Sequence, residues 1–210
     1  MNLTIVEHPL AKHYLTTLRD SSTDNDAFRA AARRLTNTLV MEATKEVPAI
    51  ERQVETPMGT TTGHVLSDVV AVAVLRAGLG MLDAVVDLIP HVKVGFAGVQ
   101  RDEDTVEPIE YYVNLPAVDD ASVLILEPML ATGGSLSWAV DKAKEAGAKD
   151  ITALCVVTAP EGVARMYEDH PDVRIVAAAA DKELNDTFYI VPGLGDMGDR
   201  LFGTIDRPEL

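Results

Sequence analysis

Cysteine is nearly absent: Cys155 is the only one in the chain. A single thiol excludes intrachain disulfides and metal sites built on clustered cysteines. Its apolar neighbours, Ala153 to Val157, mark it as a buried strand residue and not a catalytic thiol. Positive charge is also scarce. Lysine and arginine total 18 against 33 acids, a formal charge of −15, which repels a phosphate backbone and disfavours general nucleic-acid binding. A small anionic ligand would need a local cluster of backbone N–H groups, arginines or a divalent cation. Long hydrophobic runs are missing too. The longest, Val69 to Leu75, ends at Arg76, well short of the roughly 20 residues that cross a bilayer. Near the N-terminus, Glu7 and His8 stand where a signal peptide would need a continuous apolar core, so a cytoplasmic location is expected.

What remains is a chain of 210 residues, 47% hydrophobic, without a low-complexity tract or a composition break. A single domain, 1–210, is expected. From Asp24 to about Glu46, Phe28, Ala31, Ala32, Leu35 and Leu39 recur at helical spacing, and Ser22, Thr23 or Asp24 can cap the start. The segments on either side of Pro57-Met58-Gly59 read as a hairpin too polar for a core, an arm projecting from the body. Apolar runs at 69–75, 92–99, 122–126, 151–157 and 173–177 alternate with helical segments near 79–89, 134–146 and 161–169. That order predicts an α/β fold, a mainly parallel sheet flanked by helices. Ligands of such sheets bind beyond the carboxyl ends of the strands.

One loop stands at such an end. Thr132, Gly133, Gly134 and Ser135 join an apolar strand to a helix N-terminus, where unpaired N–H groups and the helix dipole favour an anion. The hydroxyls of Thr132, Ser135 and Ser137 can add donors. The lysine of a Walker loop is missing, and taken alone the loop fits phosphate binding and an ordinary structural turn equally. A second candidate, Gly193-Leu-Gly-Asp-Met-Gly198, satisfies GxGxxG, but only 12 residues follow it, too few for a dinucleotide-binding βαβ unit. The acidic run Asp102, Glu103 and Asp104 invites a magnesium site, against which stands a solvated hairpin tip. The five histidines are scattered, which favours solvated or capping roles.

Glu127-Pro128-Met129-Leu130-Ala131-Thr132-Gly133-Gly134-Ser135 resembles the phosphoribosyl pyrophosphate (PRPP) loop of the uracil phosphoribosyltransferases. Further stretches resemble that family in the same order: His8-Pro-Leu, Leu75-Arg-Ala-Gly-Leu-Gly-Met81, Arg101-Asp-Glu-Asp-Thr105 with Glu107-Pro108, Ala159-Pro-Glu-Gly162, and Tyr189 through Asp196 to Phe202-Gly-Thr204. The resemblance covers essentially the whole chain. It implies a type I phosphoribosyltransferase fold with a small β-hairpin arm and a C-terminal base-binding hood. It implies transfer of the 5-phosphoribosyl group from PRPP to N1 of uracil, giving UMP and pyrophosphate. Residues 127–135 are then the PRPP cradle, with Arg76, Arg101, Glu127 and Asp196 in catalytic roles and Arg76, Arg101 and Asp196 also contacting PRPP. Ile190, Gly195, Asp196 and Met197 would form the uracil pocket. Magnesium would ride largely on PRPP, with no protein ligand named, and a homodimer or larger homo-oligomer and a GTP effector are further expectations of the resemblance. Three residues depart from the family pattern: Glu127 in place of aspartate, Gln100 in place of tyrosine and Met197 in place of alanine. The extra bulk of Met197 bears most on base specificity. Two alternatives stay open: a nucleotide- and RNA-binding regulator on the same fold, and a transferase for another base.

Overall fold

The computed structural model describes residues 3–101 and 108–204. In chain order the elements are β1 (Leu3–Ile5), α1 (Pro9–Arg19), α2 (Asn25–Ala43), β2 (Ala49–Thr56), β3 (Gly59–Leu66), β4 (Val69–Leu75), α3 (Leu79–Leu88), β5 (Lys93–Arg101), β6 (Pro108–Asn114), β7 (Ser122–Leu126), β8 (Met129–Leu130), α4 (Gly134–Glu145), β9 (Asp150–Thr158), α5 (Pro160–Asp169), β10 (Arg174–Ala180), β11 (Glu183–Leu184), β12 (Ile190–Val191) and α6 (Met197–Phe202).

Eight strands form the central sheet in the order β1-β10-β9-β7-β4-β5-β6, with β8 also on β9. All of its pairings are parallel except that of β5 with β6. Strand periodicity explains why both faces are covered. Along β4, Val69, Ala71 and Ala73 enter one core with α1, α2 and α3, while Val70, Val72 and Val74 enter the other with α4 and α5. Cys155 lies wholly buried in the second core, as its neighbours in sequence predict. Burial, with a smaller contribution from the Glu127 charge, holds its thiol pKa well above the usual value, so it is an inert packing group.

The helices begin where the sequence supplies caps. Asp24 caps α2, its Oδ1 accepting from the Ala27 N–H at 2.8 Å, and the stripe from Phe28 to Leu39 is buried. His8 caps α1 through Nδ1, a capping role of the kind its isolation in sequence favours. Helix α1 itself has a clear buried stripe, Ala11, Leu15 and Leu18, which the sequence reading did not single out.

Topology fixes where a ligand can sit. From β4 the chain crosses through α3 to β5 on one side, and from β7 it crosses through α4 to β9 on the other. The loops after β4 and β7 therefore diverge and open a crevice between neighbouring strands, the switch point of a doubly wound sheet. The hairpin β2–β3 forms a separate two-stranded sheet. Its residues are almost all exposed, including Ile50, Val54, Met58 and Val65.

Candidate active site

The switch-point crevice carries two adjoining features. The first is the turn from β8 into α4. Here Met129 and Leu130 pair with Val157 and Thr158 of β9, and the Pro128 and Leu130 carbonyls accept from the backbone of Val156, Val157 and Ala159. Leu130 is fully buried. These residues anchor the turn, leaving Thr132 to Ser135 to form its open rim. Gly133 has φ +83°, a left-handed conformation that costs most side chains about 1 kcal/mol or more. No side chain caps α4, and its first residues border a concavity lined by residues 129–136. That is the geometry of an anion cradle.

Helix α5 braces this turn from behind. A Cβ on Gly162 would stand 2.5 Å from the Ala131 carbonyl oxygen, so only glycine lets the first turn of α5 approach so closely. Ser137, expected to add a phosphate donor, is turned the other way. It is buried, donates to Asp169 Oδ2 at 2.7 Å and lies 3.1 Å from His170 Nε2. The serine hydrogen bond is the main cause holding the Asp169 carboxyl below its usual pKa, with Arg165 adding to it against desolvation. Arg165 reaches Asp169 through Nε at 3.3 Å, and its Nη1 lies 3.3 Å from the point where a Gly134 side chain would begin. A cation thus sits beside the anion cradle. Sequence reading passed over Arg165 because a lone arginine inside a helix carries no local signal.

The second feature is a cavity of about 360 Å³ between this turn and the C-terminal hood. Glu127, Met129, Ala131 and Ser135 form one wall, and Ile190, Gly195, Asp196 and Met197 part of the other. Two residue groups separated by some 60 positions in sequence, each expected to bind one half of a reaction, thus face one space. Glu127 is 8% exposed at the end of β7. Asp196 caps α6 through Oδ1, which accepts from the Asp199 N–H at 2.8 Å. Met197 touches the cavity but is 1% exposed and belongs to the core with Leu194 and Leu201. Its bulk is directed largely into packing.

Arg76 directly follows β4 and is exposed, 3.4 Å from Asp199 of α6. It does not line the cavity, but Ala77 beside it does. Arg101 ends β5, its backbone paired with Pro108; its side chain and the acidic run Asp102, Glu103 and Asp104 lie outside the described residues. Gln100 is exposed next to it.

The hood is held by contacts no local motif announces. Arg19 of α1 grips Asp181 in a two-pronged pair at 2.8 and 2.5 Å and also donates to the Gly193 carbonyl at 2.8 Å. Asp181 in turn accepts from the Gly193 N–H at 3.0 Å. Arg200 donates to the carbonyls of Leu18, Asp20 and Leu194 and lies 4.3 Å from the centre of the Phe28 ring. Burial lowers its pKa, against an opposing contribution from Asp20. The segment that contains the GxGxxG pattern is therefore pinned to the end of α1. Its only helix, α6, opens at Met197, inside the pattern.

A mainly parallel sheet with a glycine-rich turn at its switch point and a separate hood over the crevice is the architecture of the type I phosphoribosyltransferase class. Adenine phosphoribosyltransferase from Trypanosoma brucei, solved with AMP, pyrophosphate and ribose-5-phosphate, shares this fold at TM-score 0.57 and 11% identity, over 85% of this chain and 84% of that one. The AQ2163 protein from Aquifex aeolicus superposes at TM-score 0.94 with 37% identity, over 98% of this chain and all of that one. The family model "Uracil phosphoribosyltransferase" matches residues 5–204. Uracil phosphoribosyltransferases from Salinibacter ruber and Alkaliphilus oremlandii are each 47% identical over 205 residues, covering 97% and 96% of this chain and 98% of each relative. The chain belongs to the uracil phosphoribosyltransferase family.

Proposed function

We propose that this protein transfers the 5-phosphoribosyl group of PRPP to N1 of uracil, producing UMP and pyrophosphate in pyrimidine salvage. The observation that carries the reading is the shared cavity: the 127–135 turn and the 190–197 hood face one another across it. In this reading the N–H groups of the turn hold the 5-phosphate, with Thr132 and Ser135 as hydroxyl donors and Arg165 as a neighbouring cation. Glu127 faces the ribose. Arg76, directly after β4, and Arg101, the last residue of β5, receive the pyrophosphate, for which a planar guanidinium is suited.

The C1–oxygen bond of PRPP breaks with its electron pair leaving on pyrophosphate, the N1–C1 bond forms, and the N1 proton is released. The sugar acquires cationic character as the bond loosens, so holding both ends in line and balancing the charge supplies most of the catalysis. In the hood, the backbone around Ile190 and Gly195 to Met197 reads the uracil carbonyls and N3–H, with Asp196 also reaching PRPP. Cytosine would leave some of those groups mispaired.

Magnesium, when bound, would neutralise pyrophosphate charge. Glu127 and Asp196 are the carboxylates lining the cavity, and among the described residues no group of three or more His, Cys, Asp and Glu side chains converges on a metal position. In this reading the ion rides largely on PRPP oxygens and water. A homo-oligomer is proposed from the arm, because an isolated two-stranded hairpin is at best marginally stable in water and β2–β3 exposes apolar residues on its own. No helix among the described residues is long and apolar enough to cross a membrane, and work in the cytoplasm and a GTP effector complete the proposal. Incubation with PRPP, magnesium and a panel of labelled bases tests it. UMP from uracil is the expected product; turnover of a different base instead overturns the substrate.

A further inference from the structure

Among the described residues, Phe188 is the only non-glycine with positive φ, at +62°. A bulky side chain is rare in this region, and holding it there costs conformational energy. Such a conformation persists only where its surroundings impose it, and here they do. Asn185 Oδ1 accepts from the Thr187 N–H at 3.0 Å, the Thr187 hydroxyl at 3.0 Å and the Tyr189 N–H at 2.8 Å. The backbone closes the same turn twice, Phe188 N–H to the Asn185 carbonyl and Asn185 N–H to the Tyr189 carbonyl, both at 2.9 Å.

The ring returns little of that cost to the free protein. Phe188 is 45% exposed and belongs to neither hydrophobic core. It lines the 360 Å³ cavity together with its neighbours Thr187 and Tyr189 and with Glu127, Met129 and Ala131. A glycine would satisfy the backbone without penalty, so the side chain is explained by something that fills the cavity. We propose that Phe188 is a base-binding residue, its aromatic face covering the heterocycle held in this cavity, at the expense of stability in the empty protein. The inference rests on the reading of the cavity as the base site and adds a residue to it. Stacking of a base on an aromatic ring adds affinity and tolerates different bases. Phe188 therefore supplies affinity, while the backbone around Gly195 supplies discrimination.

The test is calorimetric titration of the full chain and its Phe188→Gly and Phe188→Leu variants with UMP and with ribose 5-phosphate, alongside thermal melts. In Phe188→Gly, UMP binding should weaken roughly tenfold and ribose 5-phosphate binding should stay unchanged. Its melting temperature should rise by about 2 °C or more as the left-handed strain is relieved. Phe188→Leu keeps the strain and loses the flat ring, so it should weaken UMP without raising the melting temperature. UMP affinity unchanged in Phe188→Gly overturns the proposal, as does a fall in its melting temperature or an equal loss of ribose 5-phosphate. A wild-type protein that binds UMP no tighter than ribose 5-phosphate overturns the base-site reading itself, and the role of Phe188 with it.

Discussion

The two walls of the cavity are built by opposite means. The glycine-rich turn is a continuation of the sheet: β7, β8 and α4 follow one another directly, and neighbouring β9 and α5 complete its support. The hood is a short C-terminal segment whose own regular structure amounts to a two-residue strand pair and a six-residue helix. It is tied to α1 and the residue after it by Arg19 and Arg200, through hydrogen bonds that span 162 to 182 positions. One wall is thus stiff because of where it sits in the sheet. The other is held by long-range polar contacts together with the burial of Ile190, Leu194, Met197 and Leu201 in the core.

The largest effect should come from cutting the hood's tether. Arg19→Ala leaves Asp181, whose side chain is 5% exposed, without its cation, and removing one partner of a largely buried pair costs about 3 kcal/mol. Chemical denaturation should show that loss. UMP affinity should fall toward that of ribose 5-phosphate while ribose 5-phosphate itself binds as before. A parallel loss of both would break the distinction between the two walls.

Gly162→Ala should give the converse pattern. Its Cβ would press on the Ala131 carbonyl at 2.5 Å, and an overpacked contact of this kind costs about 1–3 kcal/mol. Displacing the turn should weaken ribose 5-phosphate and PRPP at least as much as it lowers the melting temperature. Unchanged phosphate affinity would mean that α5 does not position the cradle.

A smaller effect, about 1 kcal/mol, is expected for Ser137→Ala, and its pH dependence identifies the cause. The Asp169 pKa is lowered from 3.8 chiefly by this hydrogen bond. A depressed carboxylate stabilises the fold above its unfolded pKa, and the contribution is lost as pH falls through the lower folded value. The stability gap between wild type and Ser137→Ala should therefore be full above about pH 4 and close under stronger acid. A gap that persists unchanged would assign the effect to packing.

The least effect within one chain belongs to the arm. Val54→Asp places a charge on a half-exposed hairpin position, and exposed substitutions usually change stability by less than about 0.5 kcal/mol. Ultracentrifugation should nevertheless show dissociation, provided the arm is an interface. An unchanged sedimentation coefficient would remove the arm from the proposed oligomer.

Much of this was readable in order along the chain. Apolar runs at 69–75 and 122–126 coincide with β4 and β7, and the polar segments around Pro57 form the free hairpin. The helix expected from Asp24 begins one residue later at Asn25, because Asp24 is its cap. The glycine-rich turn was legible because a strand end, a glycine pair and a helix start are consecutive. Short elements were missed. Strands of two or three residues such as β1, β8, β11 and β12 have no period to detect, and they exist because a neighbour supplies their hydrogen bonds. Ser137 was misjudged for a related reason: its hydroxyl donates to the Asp169 carboxylate, which only the packing of α5 on α4 brings there.

By itself, then, the sequence determined the alternation of strands and helices, the polarity of the arm and the composition of the two binding segments, since these depend on periodicity and on glycine and cap residues acting over a few positions. Tertiary structure alone decided that the two segments share a cavity, that Arg19 and Arg200 hold the hood, that Arg165 borders the anion cradle and that Phe188 is held in a left-handed turn. Those outcomes depend on which distant groups meet, and an ion pair or a cavity wall between residues far apart in sequence leaves no local pattern in either partner.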